Sequence, residues 1–366
     1  MRVFFTSLGC KLNLAEVERL ARDFRAAGHA VVAELATADL HVVNTCTVTA
    51  EAARDSRQVA RRGRRINPAL RTVLTGCYAA ASPAEAASLL GVDLVVGNGE
   101  KGELLERVTE AFGLDAPGEV PYEAPAPSHA RATVKLGDGC NMACAFCIIP
   151  QTRGRERSRP REEVVAEVQS LAAAGFREVV LTGVQISDYR DGDVSLYELV
   201  AELLETTPVE RLRLTSIAPW GFDSRLLRLF ADHRLCRHVH LSLQSGSSPV
   251  LRRMRRPYTA AGFAALKARF EDALPGIAIS TDVIAGFPGE TEAEFEDSLS
   301  FIASERFARV HAFPFSPRPG TAAAAMPDQV PAAVKKERMA RLSAVAEESA
   351  RSFAARHLGE VVEVLW

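Results

Sequence analysis

The sequence has almost no net charge: 44 Lys and Arg against 46 Asp and Glu leave −2 at neutral pH, with a pI near 6.5. No global basic field therefore marks a nucleic-acid binder, and any such partner must be held by local patches. There is no apolar run long enough to span a bilayer, so no membrane partner is expected. Met1 runs straight into strand-like Arg2-Val3-Phe4-Phe5-Thr6, without the apolar region or small-residue cleavage site of a leader. Cysteine is scarce, seven residues in 366. In a chain without a secretion signal, thiols serve metals or catalysis rather than disulfides, and a reducing, cytoplasmic compartment is predicted. What remains is an ordinary globular composition, 47% hydrophobic and 25% charged, in a chain too long for one core, so two domains are expected.

The few cysteines are strongly patterned. Gly137-Asp138-Gly139-Cys140-Asn141-Met142-Ala143-Cys144-Ala145-Phe146-Cys147-Ile148-Ile149-Pro150 places Cys140, Cys144 and Cys147 in a Cys-x-x-x-Cys-x-x-Cys spacing. Three thiolates hold three corners of a four-iron cluster and leave one iron open to a substrate or cofactor. A structural zinc loop is the competing reading, although zinc sites usually pair Cys-x-x-Cys or Cys/His knuckles and close all four positions.

From Arg2 to Phe112, short apolar runs alternate with amphipathic stretches, the pattern of an α/β domain with an open parallel sheet and covering helices. Strands are predicted at Val3–Ser7, Leu40–Asn44, Thr72–Thr75 and Leu94–Val96, and helices at Asn13–Ala27, Ala50–Ile66 and Pro83–Leu90. Ser82, Pro83 and Glu85 read as a capped helix start with a capping box. Cys10, Cys46 and Cys77 each fall just past one of these strands. Free cysteine is often simply a small buried apolar residue. Three in equivalent positions at the carboxyl edge of a parallel sheet, where ligands bind, point instead to a second three-cysteine cluster site. Cys236, away from both triads, reads as structural.

Residues 113–131 are rich in Pro and Gly and read as a linker between an N-terminal domain (1–112) and a second domain (132–357). There the βα rhythm resumes, with strands predicted near Thr133–Leu136, Glu178–Thr182, Arg211–Thr215, His238–Leu243, Ile277–Ile284 and Arg309–Phe315. Six βα units suggest a complete or partial barrel whose site lies at the carboxyl ends of the strands. Those ends carry Thr182-Gly183, Gln244-Ser245-Gly246 and Ile284-Ala285-Gly286. Such residues let a ligand approach the backbone and can bond a ribose or an amino-acid headgroup. Thr291 and Glu294 read as a capping box, a purely structural share of that signal.

The loop of Cys140, Cys144 and Cys147, with Phe146 beside the last cysteine, resembles that of the radical S-adenosylmethionine enzymes. Together with the three N-terminal strand-end cysteines, Arg153-Gly154-Arg155-Glu156-Arg157-Ser158-Arg159-Pro160, Leu243-Gln244-Ser245-Gly246-Ser247 and Gly286-Phe287-Pro288-Gly289-Glu290-Thr291, it is similar to the methylthiotransferases over nearly the whole chain. Within that family, Leu8-Gly9-Cys10-Lys11-Leu12-Asn13, Arg252-Arg253-Met254-Arg255-Arg256-Pro257-Tyr258-Thr259 and Phe315-Ser316-Pro317-Arg318-Pro319-Gly320-Thr321-Ala322 are most similar to members acting on N6-threonylcarbamoyladenosine beside the tRNA anticodon. The resemblance implies a partial (β/α)6 radical-SAM barrel, two [4Fe-4S] clusters and S-adenosyl-L-methionine. The cluster of Cys140, Cys144 and Cys147 would cleave S-adenosylmethionine to a 5′-deoxyadenosyl radical that takes the C2 hydrogen of the adenine. The cluster of Cys10, Cys46 and Cys77 would carry the sulfur, and a second S-adenosylmethionine the methyl group. Phe146, Thr182, Gly183, Gln244, Ser245, Ile284 and Gly286 are the implied cofactor contacts. An electron donor and a sulfur source are implied partners alongside tRNA.

Three basic runs are candidates for phosphate contacts: Arg61 to Arg65, Arg153 to Arg159 and Arg252 to Arg256. The second follows the cysteine loop directly, which makes Arg153, Arg155 and Arg157 the RNA-binding candidates. Residues 358–366 read as the first strand of a small C-terminal RNA-binding β-barrel that family members usually carry and that is essentially absent here. The other readings are a methylthiotransferase acting on a ribosomal-protein aspartate and a non-catalytic iron–sulfur carrier.

Overall fold

Leu40-His41-Val42-Val43-Asn44-Thr45 is buried at every position, so this strand is covered on both faces, as parallel sheets flanked by helices require. The computed structural model describes residues 1–113 and 130–365; all of the expected linker except Gly113, Ala130 and Arg131 lies outside them. The described residues fall into two compact units, and no single cut divides them. Residues 138–141 and 148–157 cluster with the N-terminal residues, while 142–147 belong to the second unit.

The first unit holds five parallel strands, β1 (Arg2–Ser7), β2 (Ala30–Val31), β3 (Leu40–Thr45), β4 (Arg71–Gly76) and β5 (Leu94–Val95), in the order β2-β1-β3-β4-β5. Strand order reverses between β1 and β3, and at such a switch point the loops leave the sheet in opposite directions and open a crevice. Helices Lys11–Ala26, Ala50–Ile66 and Leu104–Phe112 pack on this sheet. One apolar core gathers Val3, Leu20, Phe24, Leu40, Val42, Val73, Leu104 and Val108, and a second lies around Val43, Ala60, Leu74 and Tyr78. The expected helix at Pro83–Leu90 is shorter, Pro83–Ala87, and its capping box does not form. Ser82 has φ −141° and ψ 62° and caps nothing with its side chain, because it also ends the preceding helix, Cys77–Ala81.

The second unit carries β6 (Arg131–Lys135), β7 (Glu178–Thr182), β8 (Arg211–Leu214), β9 (His238–His240), β10 (Ala278–Ala285) and β11 (Arg309–Pro314). These form two parallel three-stranded sheets, β8-β7-β6 and β9-β10-β11. Parallel bridges Leu212↔Leu235 and Ile217↔Leu241 continue the pairing from β8 towards β9. The strand expected over His238–Leu243 stops at His240, with single bridges at Leu241 and Gln244. Gln244 takes a positive φ of 72°, which breaks the strand geometry. Thr291 and Glu294 form the expected capping box of helix Glu292–Glu305. Residues 360–365 form no strand.

Candidate functional site

In the first unit Cys10, Cys46 and Cys77 sit at the carboxyl ends of β1, β3 and β4, on both sides of the switch point. Two glycines make this approach possible. Gly9, at φ +96°, lies so close to Cys46 that a Cβ would fall 2.6 Å from its Sγ, and Gly76, at φ +94°, sits against the backbone of Thr45. Any side chain there would push the cysteine loops apart. The Ser56 hydroxyl pins Cys46 from both sides, accepting from its N–H at 3.0 Å and donating to its carbonyl at 2.9 Å. Cys46 and Cys77 are buried and Cys10 is exposed. Burial pushes the Cys46 thiol up to about 11, and the nearby charges of Cys77 and Cys10 push the same way. Three cysteine sulfurs carried on one sheet edge are the donor set that a four-iron cluster takes.

Around these cysteines lies a buried polar network. Arg153 Nε donates to Cys77 Sγ at 3.2 Å, while Nη1 reaches Glu16 Oε1 and Asp138 Oδ1, both at 2.9 Å, and Nη2 reaches Asn13 Oδ1 at 2.6 Å. Lys101 Nζ donates to Glu16 at 2.6 Å and to Asn44 at 3.1 Å. Asn98 Nδ2 donates to the Thr152 carbonyl at 2.8 Å and faces Cys77 Sγ at 4.0 Å. This corrects the expectation for Arg153. Only 1% of its side chain is exposed, so it meets no phosphate, whereas Arg155 and Arg157 are exposed. Both line a cavity of about 810 Å³ with Ala79, Pro83, Val95 and Asn98.

In the second unit Ala145, between Cys144 and Cys147, is held by hydrogen bonds from its N–H to the Met254 carbonyl at 3.0 Å and to its carbonyl from Ala323 at 2.8 Å. Arg256 Nη1 donates to Cys144 Sγ at 3.3 Å. The guanidinium is fixed by stacking 4.6 Å from the Trp220 ring centre and by its bonds to Tyr258 Oη at 3.0 Å and the Ser242 carbonyl at 3.1 Å. Cys140, Cys144 and Cys147 are all half-buried.

The expected cofactor contacts divide. Phe146 and Ile284 pack against one apolar cluster, with Ala145, Met254, Phe287 and Phe315. Thr182 and Gly183 end β7, and the Thr182 hydroxyl accepts from Thr215 at 3.3 Å. Gln244 is tied through its backbone to Asp282 and Ile284. Ser245 and Gly286 both have local partners. Ser245 is fully buried, with its hydroxyl bonded to Ser298 and to the Ser247 N–H. Gly286 has a positive φ of 76°, a Cβ there would strike the Lys335 side chain, and its N–H donates to Glu290 at 2.6 Å. The reading of the sequence missed Asn13, Glu16, Lys101 and Asp138, whose partners are distant in the chain, and it took Arg256 for a phosphate contact. The pairing of Trp220 and Tyr258 with Arg256 could not be seen from the basic run alone.

Comparison with known proteins agrees with this arrangement. Residues 134–302 match the model of the radical SAM superfamily, and residues 2–97 that of the uncharacterized protein family UPF0004. The chain is 40% identical to the threonylcarbamoyladenosine tRNA methylthiotransferase of Bacillus subtilis, covering 99% of this chain and 84% of that one. It is 37% identical to the protein of the same name from Aquifex aeolicus, covering 100% and 92%. It is also 37% identical to the tRNA-2-methylthio-N(6)-dimethylallyladenosine synthase of Sorangium cellulosum, covering 99% and 80%. Among solved structures, the radical S-adenosylmethionine methyltransferase TsrM of Kitasatospora setae superposes with a TM-score of 0.66 at 18% identity, over 88% of this chain and 77% of that one, a likeness of fold. Fold and cysteine loop thus define a radical S-adenosylmethionine enzyme. With its N-terminal cysteine-bearing sheet, the chain belongs to the methylthiotransferase family.

Proposed function

We propose that this enzyme modifies tRNA, inserting sulfur and a methyl group at C2 of N6-threonylcarbamoyladenosine next to the anticodon. The observation that supports the reading is the position of Cys10, Cys46 and Cys77 just past the carboxyl ends of three neighbouring parallel strands, in a chain that also carries the Cys140, Cys144, Cys147 loop. When bound, the two four-iron clusters supply the electron that cleaves S-adenosylmethionine and the sulfur to be inserted. The chain's own part is to hold and orient. Cys10, Cys46 and Cys77 grip one cluster, with Ser56 and Asn13 fixing their loops. Cys140, Cys144 and Cys147 grip the other, and we read the second unit as a partial (β/α)6 barrel. Phe146 and Ile284 offer an apolar wall that excludes water from a radical intermediate. Thr182, Gly183 and Gln244 remain the candidates for the methionine and nucleoside parts. Arg155 and Arg157 are exposed and suited to RNA phosphates.

Names borne by the relatives favour a tRNA adenosine over a ribosomal-protein aspartate. A cytoplasmic site of action, an electron donor and a sulfur source follow from the same reading. No described helix is long and apolar enough to cross a membrane. Anaerobically reconstituted protein, given a reductant, S-adenosylmethionine and tRNA bearing threonylcarbamoyladenosine, is expected to yield 5′-deoxyadenosine and the methylthiolated nucleoside. Cofactor cleavage without any change in the tRNA would reject the substrate, and no cleavage at all would favour a non-catalytic iron–sulfur carrier.

A further inference from the structure

Arg153 is a buried cation whose five N–H donors are all committed: one to the Cys77 sulfur, four to Glu16, Asp138 and Asn13. The fixed fork means that Nε cannot leave Cys77 without breaking the bonds of Nη1 and Nη2. Two buried cations, Arg153 and Lys101, face two buried anions, Glu16 and Asp138. Hydrogen bonds to ligand sulfur and the net charge around a cluster set its reduction potential. An N–H held on a thiolate favours the more negative, reduced cluster, and a nearby carboxylate disfavours it.

Resting on the reading of Cys10, Cys46 and Cys77 as cluster ligands, we infer that Arg153 is a positioning residue for that cluster, raising its reduction potential through the Cys77 sulfur against the opposing charge of Glu16. The segment that follows the cysteine loop, residues 148–157, thereby belongs functionally to the other triad.

The test uses the full chain with Cys140→Ala, Cys144→Ala and Cys147→Ala, so that one cluster remains, and follows its midpoint by dithionite titration with electron paramagnetic resonance. Arg153→Lys keeps a cation for Glu16 and Asp138 but no longer fixes an N–H on the sulfur. Its reduction equilibrium is expected to be at least tenfold less favourable, a midpoint lower by about 59 mV for one electron. Glu16→Gln leaves Arg153 on Cys77 and removes a negative charge, so its midpoint is expected to rise. Unchanged midpoints, or shifts of both variants in one direction, overturn the inference. If Arg153→Lys loses its cluster, the midpoint of Glu16→Gln decides, and a rise there supports the inference. If Arg153→Lys melts early, Glu16→Gln decides alone, and an unchanged midpoint there overturns it. A parent that binds no iron overturns the cluster reading itself.

Discussion

Asn13 ties β3 to the loop after β1: its Nδ2 donates to the Thr45 carbonyl at 3.0 Å and to the Leu8 carbonyl at 2.6 Å. One buried amide thus fixes the loops bearing Cys46 and Cys10. Asn13→Ala leaves two carbonyls and one Arg153 donor without their partner, and the cost expected is about 2–3 kcal/mol. Urea unfolding measures it; an unchanged midpoint contradicts the bridging role.

Replacing Cys46 with alanine is expected to halve the iron bound after anaerobic reconstitution, and Cys10→Ala and Cys77→Ala should behave alike. Cys236 is buried beside Glu178, 3.8 Å from its Oε2, and Cys236→Ala should keep the full complement. Full iron in Cys46→Ala, or half in Cys236→Ala, would count against the assignment.

The legible part of this molecule was its periodicity and its punctuation. Helix Ala50–Ile66 and strand Glu178–Thr182 run where their apolar patterns place them, and the strand-end cysteines converge because a parallel sheet puts those ends on one edge. Long-range charge pairing was not legible. Arg153 stands in a run of arginines that reads as a phosphate-binding patch, and nothing local reveals Glu16, 137 residues earlier, as its partner. Ser245 and Gly286 carry the composition of a binding loop, and their neighbours Ser298, Lys335 and Glu290 could not be read from it. Ser82 failed as a cap because one residue cannot both end a helix and take the extended geometry of the next N-cap.

Acid should weaken the second unit through Glu178. Burial pushes this carboxyl up, but hydrogen bonds and charge from Arg213, with Arg211 and Arg131, outweigh it and hold it near 2, against an ordinary value of 4.5. A depressed carboxylate stabilises the fold above its unfolded value, and that stability is lost as pH falls from 4.5 towards 2. The amount at stake is roughly 3 kcal/mol. Unfolding measured between about pH 6 and pH 3 should show the fall, and Glu178→Gln should flatten it. An equal fall in the variant contradicts the role.

Arg155 and Arg157, both exposed, should contribute to RNA binding through phosphates. Replacing both with glutamine is expected to weaken tRNA binding about equally for all sequences and to reduce the salt slope by about 2. Binding with an unchanged slope would remove them from the interface.

The most direct measurement is mass spectrometry of tRNA nucleosides from a strain lacking this gene, complemented with the wild-type chain or with Cys46→Ala. The account predicts that the methylthio mark on threonylcarbamoyladenosine disappears on deletion, returns with the wild type and stays absent with Cys46→Ala. An unchanged nucleoside profile on deletion, or full restoration by Cys46→Ala, would contradict it.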